Sequence, residues 1–518
     1  MPSQIKKSTS RLLVVSLFVL LTISGILFSL YMIYFGAHTA YSMTIAVIFL
    51  ALTLISGFFN IFTSYSYYRS AFYSEYLDGI TRSLKPLSSY PTVAVAMPVY
   101  NEDVETVKRN ASRLKEMNYP KDRIRFYLLD DSTDQRTRLE LRRFAADKGM
   151  VYMHRRTRKG YKAGALNEML KHSHEEFIAV FDYDEHLTDT NFLIDALPYF
   201  GDQQLSYVQT EKRYFKGTFF SDTVDLFDAF FFKFIQPSRA LNNTAIFAGS
   251  CGIIRRSAID KVGGFPEYII EDTFFSFESD MHNFKSLYLP KVYAYGKPIL
   301  TFTELVKQQW RYNYGDTQFL IYFLRRLRQK NEKKQTVMST VDYITHGMGL
   351  NYISMILILF TLMSILVIFA AKSPSTVSIQ QLIQAKYIAT SIEILGISTF
   401  IISIIAPTVL TKIHFKSLSK GFMVFILNFS LSFIRARAAI AASLDIHPSS
   451  AWTKGLQHGS RGRASRTLRN ALSETTFSSA LLVMGAIAFI INNIYGAVWL
   501  IWYAVLYFST FIMFYKYG

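Results

Sequence analysis

The sequence predicts an α/β domain inserted into a bundle of transmembrane helices, and three observations carry that reading. Long apolar blocks stand at both ends of the 518-residue chain, with a mixed, charged block between them. Within the central block, short β-rich apolar runs alternate with helical stretches, the pattern of a parallel sheet covered by helices. Each of those runs ends in an acidic or polar cluster, and it is at the carboxyl ends of their strands that such sheets bind ligands.

The apolar stretches 12–34 and 42–64 are each close to the ~20 residues that a spanning helix needs. The link 35–41 lacks Lys and Arg, whereas Lys6, Lys7 and Arg11 precede the first stretch. The positive-inside rule therefore puts the link outside and the N-terminus inside. The first stretch is too long for a signal-peptide core and has no small-residue cleavage site, so no cleavable leader is expected. Residues 85–334 contain no comparable stretch and are expected in the cytoplasm. Apolar helices resume at 346–370 and 387–410, and Lys412, Lys416 and Lys420 mark a return to the inside. Segment 421–442 is apolar but carries Arg435 and Arg437. Charge at mid-bilayer is costly, so it reads as an interfacial or partly inserted helix. The basic loop 454–469 stays inside, and two closing spans follow at 477–494 and 497–514.

The expected plan is about six spans with both termini cytoplasmic, in the plasma membrane. It divides the chain into a transmembrane hairpin (1–70), a cytoplasmic domain (85–335), a transmembrane pair (340–415), an interfacial segment (416–472) and a closing hairpin (473–518). Segments 226–241 and 310–328 are amphipathic and aromatic, and read as helices lying in the membrane interface or as core helices.

The formal net charge is +18, from 56 Lys+Arg against 38 Asp+Glu. Nucleic acid, anionic lipid and a nucleotide-diphosphate substrate all suit so basic a chain. With spans present, membrane lipids and a diphosphate are the expected partners and nucleic acid is not. The single cysteine, Cys251, excludes an intrachain disulfide and a multi-cysteine zinc site.

The central block opens with the apolar run 92–99, which ends in Tyr100, Asn101 and Glu102. A second strand, 126–129, ends in Asp130, Asp131 and Ser132, and a third, 177–181, ends in Asp182, Tyr183 and Asp184. Helical stretches at 105–117 and 137–148 separate the first strands. The three clusters fall at one sheet edge and suggest one site. Asp182 and Asp184 straddle one residue and can hold a hard divalent cation, which stabilises a departing diphosphate; a solvated turn is the plain alternative. The loop 159–164 offers Lys159, Lys162, Gly160 and Gly164 to phosphate but lacks P-loop spacing. Gly249, Ser250, Cys251 and Gly252 are small enough to admit a flat acceptor, or form a tight turn. Glu271 and Asp272 stand among apolar and aromatic residues, where a carboxylate is costly unless used or paired. One of them can act as general base, or cap a helix. Gln308, Arg311 and Tyr312 combine an amide, a phosphate-binding arginine and an aromatic face.

In this order the motifs resemble the processive family 2 glycosyltransferases, the group of cellulose, hyaluronan and chitin synthases. The resemblance covers roughly residues 92–330 by motif and the rest by membrane plan. It implies a GT-A (Rossmann-like) domain, a UDP-sugar donor, Mg2+ or Mn2+ as cofactor and a polysaccharide acceptor. Tyr100, Glu102, Asp130, Asp131, Lys162, Asp182, Gln308 and Arg311 would bind the nucleotide-sugar, and Asp182 and Asp184 the metal. Asp272 would be the catalytic base beside Glu271. Gly249, Ser250, Cys251 and Tyr312 would meet the acceptor. Trp452, Thr453 and Lys454 occupy the place of a cytoplasmic gating loop. No regulatory domain is expected after the last span.

Three positions depart from the family pattern. Ile270 replaces a threonine before Glu271, Glu185 stands where cellulose synthases often have histidine, and Tyr312 replaces a tryptophan. A smaller face at position 312 leaves single addition to a membrane lipid as the alternative to a processive β-linked polymer. A channel with a nucleotide-sensing domain would also explain the spans, but not a base-like Glu-Asp pair alongside Asp-x-Asp.

Overall fold

The computed structural model describes residues 2–31, 33, 40–85, 89–329, 336–370, 405, 408–446, 463–491 and 493–518. They fall into two compact units, one of residues 69–298 with 318–347, the other of residues 1–68, 299–317 and 348–518. Residues 299–317, which the sequence groups with the catalytic block, thus count with the helical unit.

The first unit is built on an eight-stranded sheet. Its strands are β1 (Val93–Val99), β2 (Ile124–Asp130), β3 (Val151–His154), β4 (Phe177–Val180), β5 (His186–Leu187), β6 (Leu205–Tyr214), β7 (Gly252–Arg255) and β8 (Lys285–Gly296), in the order β3-β2-β1-β4-β7-β6-β8-β5. β1 is apolar on both faces because helices cover both. Val93, Val95, Met97 and Val99 pack with Val107, Ala111 and Leu114 of the helix Val104–Leu114. Ala94 and Ala96 pack with Leu166, Met169 and Leu170 of the helix Tyr161–His172. A continuous apolar run is what a strand buried on both faces requires. Helix starts are fixed locally: the Asp103 carboxylate accepts from the Thr106 amide at 2.9 Å, and that of Asp134 from the Thr137 amide at 2.7 Å.

β1 to β4 are parallel, as expected. The sheet as a whole is not: β7 runs antiparallel to both β4 and β6, and β5 to β8. The reason lies in the chain path. Gly252 pairs with Val180, so β7 enters the sheet from the carboxyl edge of β4, directly after residues 249–251, and must run back down.

The two segments expected at the membrane interface place aromatic side chains in this unit's core. In the first, a helix Phe219–Phe230, a π turn Phe231–Ile235 and a short helix Gln236–Ala240 bury Phe232 and Phe234. In the second, Phe319 and Phe323 are buried with Phe274, Phe277 and Tyr343. Aromatic rings that gain close-packed neighbours have no need of lipid.

Among the described residues of the helical unit, three helices are long and apolar enough to cross a membrane: Met43–Arg69, Leu472–Ile490 and Gly496–Tyr517. Two bent pairs raise the number to five if each is one span: Val337–Gly349 with Ser354–Leu366, bent by 70°, and Leu418–Ser430 with Ser432–Ser443, bent by 45°. The first of these pairs begins in the sheet-bearing unit. At the N-terminus the apolar part of the helix Pro2–Tyr31 is the shorter stretch Val15–Leu27. The span expected at 387–410 lies almost wholly outside the described residues. Arg435, whose charge argued against a span at 421–442, is fully buried. Its Nε donates to Gln309 Oε1 and its Nη1 to Asn428 Oδ1, each at 2.9 Å. A guanidinium met this way inside the unit does not face lipid.

Candidate functional site

β1, β2 and β4 run parallel and open at the same edge: Val99 pairs with Asp130 at the ends of β1 and β2, and β4 ends three residues lower, with Val180 opposite Ala96. The three polar clusters therefore meet at one edge, and the loop 248–251 crosses it. Gln209 of β6 holds that loop. Its Oε1 accepts from the Ala248 amide at 2.7 Å and its Nε2 donates to the Ser250 carbonyl at 2.9 Å.

On the side of β1 and β2 the polar groups are matched to partners. Asp130 is buried and accepts from Tyr152 Oη at 2.7 Å and from the Ser132 amide at 2.9 Å. Asp131 is in a two-pronged pair with Arg155, through Nε at 2.9 Å and through Nη2. These carboxylates, expected to bind the nucleotide-sugar, are held by Tyr152, Ser132 and Arg155 at the ends of β1 and β2. Tyr100 carries the Arg158 guanidinium 3.4 Å from its ring centroid, a cation–π contact. Burial raises the Glu102 carboxyl above its ordinary pKa, and a hydrogen bond from Tyr183 opposes that shift.

At the end of β4 the acids crowd. Lys162, on the helix Tyr161–His172, donates to Asp182 Oδ1 at 2.5 Å and to the Gly249 carbonyl at 2.8 Å. Gly164, in the next turn, has no room for a side chain, since a Cβ would stand 2.1 Å from the Lys159 carbonyl oxygen. Lys212 approaches Asp182 Oδ2 at 3.5 Å and Glu185 Oε1 at 3.2 Å. Burial works against the ionised form of Asp182, but Lys162 and Lys212 outweigh it and hold the carboxyl below its usual range. Asp184 is pushed up to about 7 by burial, then by Asp182 and Glu185. Glu271 is pushed up to about 7 by burial and then by Asp272.

The helix Glu271–Met281 starts at the acidic pair, so its first-turn amides and dipole favour negative charge there. Asp272 Oδ1 accepts from the Thr273 amide at 2.7 Å. Its Oδ2 faces Gly249: a Cβ on Gly249 would lie 3.0 Å from that oxygen and 3.6 Å from Lys162 Nζ. Gly249 also has φ +79°, which side chains disfavour. Space and backbone both require glycine, and its absence of bulk brings Asp272, Lys162 and Asp182 together.

Ser250 and Cys251 do not form the open acceptor face expected of them. Ser250 Oγ is buried and donates to Glu185 Oε1 at 2.6 Å. Cys251 is turned into the core with Ala245 and Ile253. Of this loop, Gly249 borders Asp272 Oδ2. Gln308, Arg311 and Tyr312 lie on the helix Phe302–Arg326, in the part that belongs to the helical unit. Gln308 Nε2 is 3.4 Å from Tyr312 Oη, one turn on, and Arg311 is exposed. Trp452, Thr453 and Lys454 lie outside the described residues. Two residues at the edge were not anticipated from sequence as site members, Lys212 and Arg158. Lys212 lies in β6 beyond its six buried residues and Glu211, and no motif in the sequence marks it.

No group of three or more His, Cys, Asp or Glu suited to a metal is present among the described residues. A protein-only cage is not needed for Mg2+ or Mn2+ at a diphosphate, where one or two carboxylates and phosphate oxygens suffice. The hard oxygens of Asp182 and Asp184, with the acid crowding that raises Asp184, fit such an ion.

Residues 94–263 match the glycosyl transferase family 2 model. The cellulose synthase catalytic subunit [UDP-forming] of Pseudomonas fluorescens is 32% identical over 237 residues, 44% of this chain and 31% of the relative. The probable glucomannan 4-beta-mannosyltransferase 2 of Oryza sativa is 29% identical over 241 residues, 44% of this chain and 41% of the relative. The matched stretches thus span well under half of these relatives' lengths. Among solved structures, the mannosyltransferase PcManGT from Pyrobaculum calidifontis, in complex with GDP-Man and Mn2+, aligns with a TM-score of 0.50 at 17% identity, covering 78% of this chain and 99% of that one. Sheet order, edge geometry and these likenesses agree: residues 94–263 match glycosyl transferase family 2, the sheet-bearing unit has a GT-A fold, and this part of the chain is similar to cellulose synthase catalytic subunits.

Proposed function

We propose that the protein is a membrane-embedded, inverting glycosyltransferase that takes sugar from a UDP-sugar at the cytoplasmic face and extends a β-linked polysaccharide, which its membrane helices pass outward. The observation that carries this reading is the convergence at Gly249. Asp272, Lys162 and Asp182 come together there, and in this reading they serve as base, phosphate-binding lysine and metal-binding carboxylate around the sugar–diphosphate bond.

The residues act as follows. Asp272 Oδ2 accepts the proton of an acceptor hydroxyl as its oxygen bonds to the anomeric carbon. The bond from that carbon to the diphosphate oxygen breaks in line, with inversion. Lys162 donates to the diphosphate as negative charge grows on it. Asp184 and Asp182 would hold Mg2+ or Mn2+, which when bound supplies Lewis-acid stabilisation of the leaving group. A UDP-forming relative supports uridine as the base, and the GT-A neighbour with GDP-Man and Mn2+ supports a divalent ion. Arg158 and Tyr100 are placed to border the nucleoside.

A donor screen tests the reading. Purified, detergent-solubilised protein is given radiolabelled UDP-glucose, UDP-N-acetylglucosamine or GDP-mannose with Mg2+ or Mn2+, and products are sized. A polymer digestible by a β-glycanase is expected from one UDP-sugar. A discrete, solvent-soluble glycolipid would replace polymerisation by single addition to a lipid and point to Tyr312 as the cause.

A further inference from the structure

Asp182, Asp184 and Glu185 fall within four consecutive residues after β4. A lysine from a different strand stands among them. Lys212 Nζ lies 2.5 Å from Ser250 Oγ, 3.2 Å from Glu185 Oε1 and 3.5 Å from Asp182 Oδ2. Glu185 is itself fixed. Its Oε1 accepts from Ser250 Oγ at 2.6 Å, its Oε2 from the Asp182 amide at 2.8 Å, and its side chain is 4% exposed. The Lys212 side chain keeps 18% of its surface, so the cation is anchored but within reach of a ligand.

An ammonium group has three N–H donors. Ser250 Oγ takes one at 2.5 Å, Asp182 Oδ2 takes a second in a long bond of 3.5 Å, and Glu185 Oε1 is an ion-pair partner at 3.2 Å. Asp182 is also the carboxylate that Lys162 bonds at 2.5 Å. A ligand oxygen entering beside Asp182 can take over the long contact to Lys212 while Ser250 and Glu185 keep the ammonium in place.

We propose that Lys212 is a built-in cation of the diphosphate site, donating a hydrogen bond to a phosphate oxygen and sharing the neutralisation that a divalent ion otherwise provides, so that nucleotide binding persists without metal. This rests on the glycosyltransferase reading above. When the sugar–oxygen bond breaks, its electron pair stays on the diphosphate and Lys212 meets that charge without transferring a proton.

The test is calorimetric titration of UDP into the solubilised full chain, in Mn2+ and in EDTA. Wild type, K212R, K212M and the charge-balanced double variant K212M/E185Q are compared. A charge-assisted hydrogen bond is worth roughly ten- to hundredfold in affinity, so K212M should weaken UDP binding in EDTA by at least ~10-fold. In Mn2+ the loss should shrink to about threefold or less, and K212R should stay near wild type in both. The double variant removes the cation without stranding Glu185, so it should repeat the K212M pattern if K212M alone does not fold. Equal weakening in Mn2+ and EDTA would make Lys212 merely structural and overturn the proposal, as would no weakening in either. Wild-type binding in Mn2+ with none in EDTA would overturn it while leaving the enzyme reading intact. A chain that binds neither UDP nor GDP under any condition would overturn both.

Discussion

At the ends of β1 and β2 the carboxylates are matched to donors, whereas at the end of β4 the acids press on one another. Asp130 is held by Tyr152 and Ser132, and Asp131 by Arg155. Asp184, just past the end of β4, and Glu271, at the start of the helix Glu271–Met281, are held above the ordinary carboxylate range by burial and by neighbouring acids. Both regions belong to one sheet edge, so the fold does not dictate the difference. Satisfied groups set the shape of a loop; crowded groups store an electrostatic imbalance that a cationic partner relieves. The comparison assigns stability to the first region and chemistry to the second, and substitutions can separate the two.

The largest effect is expected at Asp184. Asp184→Asn should lower metal-dependent transfer by about a hundredfold or more while leaving the thermal midpoint unchanged or higher, because it relieves acid crowding. A fall in the midpoint would break the comparison. Next comes Gly249→Ala. Its methyl would meet Asp272 Oδ2 at 3.0 Å from a left-handed backbone, so turnover should drop at least ~10-fold, and strain should cost about 1–2 kcal/mol. Turnover at the wild-type rate would deny Gly249 its place at the reacting centre. Tyr152→Phe removes one hydrogen bond from Asp130 and should cost about 1 kcal/mol of stability with turnover within ~2-fold. Loss of activity without loss of stability would move that side into the chemistry. The smallest signal is a slope. Glu271 has a folded pKa above its ordinary 4.5, so folding takes up a proton. Its contribution to stability is full below pH 4.5 and is lost as pH rises toward about 7. Glu271→Gln should flatten the decline of the thermal midpoint across that window, and an unchanged slope would count against the burial of that carboxyl.

Much of this edge was legible in the sequence. β1, β2 and β4 each bury both faces, so their apolar runs are continuous and their ends are marked by the first polar residues. That is why Asp130, Asp182 and Tyr100 could be placed at one edge. The direction of β7 was not legible, because it depends on the edge from which residues 249–251 enter the sheet. Lys212 was hidden for a related reason: strand periodicity gives the face of a side chain, but not which loop of another strand it meets. The pairing of Asp131 with Arg155 also spans an intervening helix and strand. In the membrane unit, Arg435 read as a charge that a span would not tolerate, since its partners Gln309 and Asn428 are visible only once the helices are packed.

The most direct measurement compares wild type with Asp272→Asn for UDP release from the preferred UDP-sugar and for UDP affinity in the same preparation. A general base contributes about 10²–10⁴ in rate. The predicted result is a loss of that size in turnover with affinity unchanged within ~3-fold, because the proposed role of Asp272 is toward the acceptor hydroxyl and not the nucleotide. Turnover near the wild-type rate would contradict the assignment of the base, and with it the claim that the crowded edge around Gly249 is where sugar is transferred.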